Sequence, residues 1–585
     1  MALDLTPEQK AIGKANFEQA VGDLARQGKM SSVVVGGAPV DPNHPDRRDF
    51  LKAGLAAGAV VPVSAAVYYG YHSWKGNKAV RTALIGCGDE GGVLVGDHNP
   101  EFNEIVAVCD IRPSNLKRIF EGEDRGPRKG LKRIYGVETA RKIRTYDHVD
   151  ALLADKEKLG LEAVIIATPL NTHDVLTRKC FDAGLHVLCE KLMARDIARC
   201  KAMIRAAKEK GLLLAIGHQR HYSTLYAHAI EVIHNGVLGD IRHIRALWHR
   251  NNSWPFNPSA KERATYASGK DLDGQPFDVP FYRDGWYKPI LQEDADVFLQ
   301  DPKKLTEAGF STIRELVRWR LYEKTGGGLM AELGSHQLDA ASIILGHVHP
   351  LAVQGVGGKF FYRPGRNDRE SDDAVFVTYE FPGPNHPKAG KGGNDPDDIV
   401  IVTYSSFNTN SFEKYGECVM GSRGTMIIEE EREVYLFKEP EPGKAGSGGR
   451  ETRLVVSNAG KGPVLEATST WGGGGGAAIS KSASAPAWDS AVRGYRTEME
   501  HFAYCVRRWQ EMKQPVSYDK DTNGRLKYAD ILPRCHGEVA LADAIVALTA
   551  NLAMANRQRI TFEDDWFDAD KPTATPEAKY ARSRA

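Results

Sequence analysis

Residues 81–110, RTALIGCGDEGGVLVGDHNPEFNEIVAVCD, run in the order strand, glycine turn, helix, strand, acid. The apolar Ala83–Ile85 leads into Gly86, Gly88 and Gly91, and a second β-rich run, Ile105–Cys109, stops at Asp110. Each glycine has its own physical task in a dinucleotide site. Gly86 permits the tight turn, Gly88 lets backbone N–H groups approach a pyrophosphate, and Gly91 lets the helix lie close to the strand. Asp89 and Glu90 sit inside the same turn, and the helix N-terminus faces the phosphates. Asp110, nineteen residues past Gly91, can accept hydrogen bonds from a ribose diol. The spacing therefore predicts an NAD or NADP site. NAD is favoured because the Asp110 carboxylate would repel a 2′-phosphate, although Arg112 could accommodate one.

Working outward, strands and helices alternate from residue 76 to 217, which predicts an α/β protein opening with a doubly wound parallel-sheet (Rossmann) domain. In AVIIATPLNTHDVLTRKCFDAGLHVLCEKLMA, residues 163–194, one buried strand ends at Pro169 and a second delivers Glu190 and Lys191 at its carboxyl end. Asn171 or Thr172 can cap the intervening helix. Ligands of open parallel sheets bind at that edge, so Thr168, Asn171, His173, Glu190 and Lys191 are expected around the cofactor. GHQRHYS, residues 217–223, marks the crossing into a second domain, residues 218–585. Gln219 is assigned to the cofactor and Arg220 and Tyr222 to the substrate, with an interdomain hydrogen-bond cluster as the competing reading. Strands at 241–248, 352–361, 373–381, 399–407, 418–420 and 425–429 predict a large, mostly antiparallel sheet in a C-terminal α+β domain.

The glycine turn, ATPLNTH (167–173), AGLHVLCEK (183–191) and GGGLMAELGSHQLD (326–339) together resemble the glucose–fructose oxidoreductase / inositol dehydrogenase / rhizopine-catabolism (Gfo/Idh/MocA) family. The resemblance implies that Lys191 lies near the nicotinamide and the reacting hydroxyl, and that His336 acts in proton transfer. It also implies subunit contacts through the C-terminal sheet, in a homodimer or homotetramer. Two departures bear on geometry. Leu192 replaces the family proline after the lysine, and Glu332 replaces an aspartate and is one methylene longer.

The chemistry stands on the residues as well. Oxidising a carbinol needs a base, and histidine suits it; a lysine stabilises the alkoxide, and a carboxylate such as Glu332 orients the imidazole or a hydroxyl. Glu332, His336 and Asp339 follow i, i+4, i+7 and are expected on one helix face, with Asp339 toward the substrate. No metal is expected, since Glu332 and His336 lack further ligands at suitable spacing. The reading is an oxidoreductase acting on CH–OH groups of a sugar, cyclitol or related polyol. The alternatives are a redox-neutral glycosidase resembling NAD-dependent α-N-acetylgalactosaminidases and a non-catalytic sugar-binding relative.

The chain of 585 residues exceeds one hydrophobic core, and its net charge of +1 offers no electrostatic case for a nucleic-acid partner. Eight cysteines include no C-x-x-C pair and read as neither a zinc site nor a disulfide framework, and the five in the dinucleotide half read as small buried residues. Residues 1–46 are a polar extension with a short amphipathic helix at 7–27. Residues 47–75 begin with Arg47 and Arg48 and resemble a twin-arginine export signal with small-residue cleavage sites at Val63–Ala66. An uncleaved membrane anchor and a retained cytoplasmic arm remain open. Since no nicotinamide pool exists outside the cytoplasm, export implies a tightly bound cofactor. The aromatic-rich insertion 251–307 is either a substrate-shaping loop or its own small core. Residues 383–398 and 440–487 read as surface loops or flexible linkers, and 495–512 and 534–556 as closing helices. DDWFDAD, residues 564–570, reads as a docked tail.

Overall fold

The computed structural model describes residues 5–27, 71, 78–251, 255, 257, 259–260, 282, 284–363, 369–390, 392–439, 453–458, 463–468, 493–512, 528 and 531–580. Six strands, β1 (Val80–Ile85), β2 (Asn103–Cys109), β3 (Arg144–Tyr146), β4 (Ala163–Ile166), β5 (His186–Glu190) and β6 (Leu214–Gly217), form a sheet in the order β3-β2-β1-β4-β5-β6. All its neighbours are parallel. β4, β5 and β6 are buried at every position, as a sheet covered by helices on both faces requires. The strand order reverses between β1 and β4, and a crevice opens there beyond the strands' carboxyl ends.

The second sheet has eight strands: β7 (Ile241–His249), β8 (Ala352–Gly358), β9 (Ala374–Pro382), β10 (Ile399–Phe407), β11 (Tyr415–Gly421), β12 (Gly424–Glu429), β13 (Glu433–Lys438) and, after a separate hairpin, β16 (Ile560–Thr561). Their order is β13-β12-β11-β7-β10-β9-β8-β16, and every pair is antiparallel except β7 with β10. β10 alternates buried and half-buried residues, the signature of one packed face. β13 and β16 were not anticipated. One apolar core runs from β4 and β5 of the first sheet into the second, so the two domains share buried surface.

Among the helices of the described residues are α1 (Pro7–Arg26), α2 (Asp89–Asp97), α3 (His173–Asp182), α4 (Ile197–Lys210), α5 (Gln292–Gln300), α6 (Ser335–Leu345), α7 (Tyr495–Glu511) and α8 (Gly537–Asn556). Among the described residues, α8 is the one helix long and apolar enough to cross a membrane, and it packs instead against β8 and α4. α7, read as part of the C-terminal half, returns to the first sheet. Asn103 donates to the Met499 carbonyl at 2.8 Å, and the Trp509 indole to the Gly211 carbonyl at 2.8 Å. Trp566 is buried, and the Lys201 ammonium donates to the carbonyls of Asp565, Lys571 and Ala574, which docks the tail.

The two insertions carry local order. Asp398 accepts from the Asn385 N–H at 2.7 Å and from Arg242 at 2.6 Å, which pins residues 383–398 to the sheet. Within 440–487, β14 (Arg453–Asn458) and β15 (Pro463–Thr468) pair as an antiparallel hairpin; the glycine run at 472–476 lies outside the described residues.

α1 lies across β13. Leu5 packs with Cys418, Ile427 and Tyr435, Asn16 donates to the Leu436 carbonyl at 3.0 Å, and Lys10 pairs with Glu429 at 2.7 Å. A side chain at Gly13 would stand 2.7 Å from the Tyr435 Cβ, so glycine permits the close approach. Beyond the apolar stretch, Tyr71 is fully buried and its hydroxyl donates to Glu500 at 2.7 Å. Arg47, Arg48 and residues 53–70 lie outside the described residues. Leu24 is buried against the core, so Leu24→Ala is expected to destabilise the folded chain by about 2–4 kcal/mol. Urea unfolding measures this, and an unchanged midpoint would show that α1 does not belong to the cooperative fold.

Candidate active site

The turn after β1 is built as a phosphate cradle. Gly86 has φ +97°, and a Cβ there would stand 2.4 Å from the Ala167 carbonyl oxygen. A Cβ on Gly91 would reach 2.1 Å from the Gly86 carbonyl oxygen, so α2 can approach β1 only through glycine. At Gly88 nothing lies within 4 Å, which leaves the space a pyrophosphate needs. No side chain caps the first turn of α2, so its N–H groups face that space. These residues fit a dinucleotide.

Asp110 closes the turn from the end of β2. Its carboxylate accepts from the backbone N–H of Cys87 at 2.8 Å and of Arg112 at 2.8 Å, and from the Asn115 amide at 3.1 Å. Burial pushes its carboxyl up, against those hydrogen bonds. The Arg112 guanidinium is held by Asp294 on α5 at 2.9 Å, and Asp294 also accepts from the Ser114 hydroxyl at 2.7 Å.

A cavity of about 1070 Å³ runs from this turn into the groove between the sheets. Gly86, Gly88, Asp89, Glu90, Asp110, Arg112, Thr168, Asn171, Glu190, Lys191, Glu332 and His336 all line it, which brings most of the sequence-predicted residues together. Gly91 and His173 stand behind its wall. His173 is buried, with its ring nitrogens 2.8 Å from the Leu192 carbonyl and 2.9 Å from the Thr168 carbonyl, and so joins the two strand-end loops. The Lys191–Leu192 peptide is cis. Thr172 caps nothing; its hydroxyl donates within the turn, to Pro169 and Thr168.

At the inner end, the Lys191 ammonium donates to the Glu332 carbonyl at 2.8 Å, and the Glu332 carboxylate pairs with Arg320. Burial opposes ionisation of Glu332, but Arg320 and Lys191 outweigh it and hold the carboxyl below its ordinary value. For His336, burial and then the charge of Lys191 push the pKa well below the ordinary 6.5, so the imidazole is neutral. Burial raises Glu190 well above the carboxylate range, and Glu90 beside it adds to the shift. Trp248 lies against His336 with ring centroids 5.4 Å apart and stacks on Tyr415 at 4.4 Å, forming an aromatic wall.

Four assignments need correction. Gln219, Arg220, Tyr222 and Asp339 do not line the cavity. The residues at 330–334 form a π-turn ahead of α6, which breaks the uniform helical phase assumed for Glu332, His336 and Asp339. Asp339 therefore points away and receives the His221 imidazole at 2.7 Å. Arg220 is consumed by Glu431 at 2.6 Å, Tyr222 is buried with its hydroxyl accepting from the Arg534 N–H, and Gln219 is buried beside them. They form the interdomain cluster.

Sequence reasoning missed Arg250, Trp319, Arg320, Trp248, Tyr415 and Arg493, all on the cavity wall. They come from remote elements, and none carries a local motif. Residues 290–313 make a core of Ile290, Ala295, Phe298, Leu305, Phe310 and Ile313 at the end of the insertion, with Ile111, next to Asp110, packed on it. Of its aromatics, Tyr287 is buried beneath Arg318, Tyr282 meets Phe361 edge-on, and Trp286 lines the cavity. Trp254 and Phe256 lie outside the described residues.

Residues 80–218 match the oxidoreductase family with an NAD-binding Rossmann fold, and residues 307–426 match the Gfo/Idh/MocA C-terminal domain. Two stretches of the chain, 259 residues together, thus match models of the Gfo/Idh/MocA family. An uncharacterised oxidoreductase of Schizosaccharomyces pombe is 30% identical over 23% of this chain and only 37% of its own length. A 2,7-anhydro-N-acetylneuraminate hydratase of Mediterraneibacter gnavus is 23% identical over 62% of this chain and 73% of its own. A myo-inositol dehydrogenase of Streptomyces leeuwenhoekii is 27% identical over 53% of this chain and 90% of its own.

Because Asp294 neutralises Arg112, the wild-type protein is expected to bind NAD more tightly than NADP, and Asp294→Ala to narrow or reverse that preference. Fluorescence titration of the cofactor-free protein with both dinucleotides measures it. An unchanged ratio would show that Arg112 does not face the ribose.

Proposed function

We propose that this chain is a member of the Gfo/Idh/MocA family and an NAD-dependent oxidoreductase acting on a CH–OH group of a sugar, cyclitol or related polyol. The observation that carries the reading is that His336 and Lys191 line one cavity with the glycine turn of the phosphate cradle. Gly86, Gly88, Asp110 and the N-terminus of α2 would hold the dinucleotide, which when bound supplies the hydride acceptor. His336 takes the hydroxyl proton, and its lowered pKa keeps its lone pair free at neutral pH. The Lys191 ammonium stabilises the alkoxide as charge develops. Glu332, fixed by Arg320, offers a carboxylate to a neighbouring hydroxyl, and the Trp248–Tyr415 wall suits the apolar face of a sugar ring.

A redox-neutral cycle on the same site is the second reading. The protonated Glu190 supports it, since elimination needs an acid for a leaving group, and so does the likeness to a hydratase, an enzyme of no net oxidation. A panel of free sugars and aryl glycosides separates the two by product: a carbonyl compound, or a released aglycone.

The N-terminus belongs to the same proposal. The paired arginines favour export by the twin-arginine route, and α1 and Tyr71, packed on opposite sides of the apolar stretch, favour a leader that stays attached. Peptidase cleavage at 63–66 would remove α1 from β13. Intact-mass measurement of the protein recovered from the periplasm or its membrane tests both points: export predicts recovery there, and retention predicts the full-length mass. A closed cofactor cycle outside the cytoplasm needs dissociation slower than about 10⁻⁴ s⁻¹, hence nanomolar or tighter binding at ordinary on-rates. The 284–317 segment over the crevice supports such retention. Denatured protein is expected to release close to one dinucleotide per chain, and cofactor-free protein would overturn the closed cycle.

His336→Ala and Lys191→Ala are each expected to lower turnover by about 10²-fold or more while leaving dinucleotide binding largely in place. Because His336 titrates below its ordinary value of 6.5, kcat/KM should stay level as pH falls through 6.5 and decline only below it. An acid limb at or above that value would assign the base elsewhere.

A further inference from the structure

Behind the helix that carries His336, on the side away from the cavity, five donor side chains converge. His218 and His221 come from the turn after β6, Asp339 from α6, Cys535 from the turn before α8 and Asp543 from α8. All five are buried. Ligand atoms of His218, Asp339 and Asp543 lie within 4.8 Å of one another, and so do those of His221, Cys535 and Asp543.

The His218 ring stands between two carboxylates, Nδ1 3.7 Å from Asp339 Oδ2 and Nε2 3.9 Å from Asp543 Oδ2. These separations are too long for hydrogen bonds. Both ring nitrogens of His218, Asp339 Oδ2 and Asp543 Oδ2 are buried without a hydrogen-bond partner. A proton shared by the two carboxyls would satisfy that pair of oxygens, yet it would leave both nitrogens of His218 unmet. Unmet polar atoms at this depth are costly. An imidazole offers one nitrogen to an ion at a time, and with one such nitrogen the ligand atoms of His218, Asp339 and Asp543 lie within 4.8 Å of one another.

We propose that this cluster binds a divalent transition metal of the zinc class through His218, Asp339 and Asp543, with Cys535, whose thiol lies within 4.8 Å of an Asp543 carboxylate oxygen, completing the set. His221, donating to Asp339 Oδ1 at 2.7 Å, orients that carboxylate from outside, as partners of metal-bound carboxylates do. The donor set of imidazole, carboxylate and thiol suits zinc or cobalt and excludes magnesium and calcium, which want oxygen alone. A dication compensates the two buried carboxylates, which nothing apolar around them can do. The ion ties the exit of β6 to α6 and α8, three segments that meet only in the folded chain. Its role is structural, since the cluster lies outside the cavity wall.

The test uses untagged full-length protein purified without chelator. Elemental analysis is expected to find one zinc-class ion per chain. After chelator treatment, titration with Co²⁺ should develop the visible bands of a tetrahedral site, with a thiolate charge-transfer band reporting Cys535, and should raise the melting temperature. Asp543→Asn and His218→Gln should lose the ion, whereas His336→Ala, on the cavity side of the same helix, should keep it. Metal-free protein that takes up no cobalt overturns the proposal, and so does an ion retained in Asp543→Asn. If the variants do not fold, the cobalt titration of the wild-type chain decides alone.

Discussion

Arg220 is 1% exposed, and its guanidinium donates to Glu431 across 2.6 Å. This buried ion pair is the constraint on which the cavity depends. Arg220 leaves the parallel sheet just after β6, while Glu431 sits in the β12–β13 turn at φ +58° and also accepts from Arg493 at 3.3 Å. Three segments are thereby drawn to one point, and Arg493 is set on the cavity wall. A buried pair of this kind adds modestly to stability, because desolvation offsets most of the Coulomb attraction. Loss of either partner leaves an uncompensated charge at a place where water cannot reach, which costs several kcal/mol. The pair therefore selects one orientation of the two sheets more than it strengthens the fold.

From that orientation the chemistry of the inner cavity follows. Lys191 ends β5, Glu332 begins the turn into α6, and the 2.8 Å hydrogen bond between them joins the two domains at the site itself. The charges gathered there act on one another. Arg320 and Lys191 keep Glu332 ionised, while burial and Lys191 keep His336 neutral, so a carboxylate and a free imidazole coexist in one small space. At the outer end, the 284–317 segment lies over the crevice on its own apolar core. It is pinned by Asp294 to Arg112, by Lys304 to Asp147 at 2.8 Å and by Asn171 to the Gly309 carbonyl at 3.2 Å. A segment held by polar contacts over the cofactor crevice can open locally at less cost than the sheets can.

The sequence by itself determined the parallel sheet, the glycine turn and the two strand-end segments, because each is encoded within a few residues. The 2.1 Å approach at Gly91 and the open space at Gly88 are local backbone facts, and local facts leave local signatures. Lys191 and His336 were legible for the same reason. Tertiary structure alone decided what surrounds them. Arg320, Arg493, Trp248 and Tyr415 reach the cavity from separate elements and announce nothing in their own neighbourhoods. Asp339 turned away because one π-turn shifted a helical phase that spacing had taken as uniform. Arg220 and Tyr222, polar residues at a domain crossing, could face substrate or the protein, and the choice rests on Glu431 and Arg534, 211 and 312 residues from their partners. Contacts at such separations depend on how the sheets pack, and that packing is a property of the whole chain.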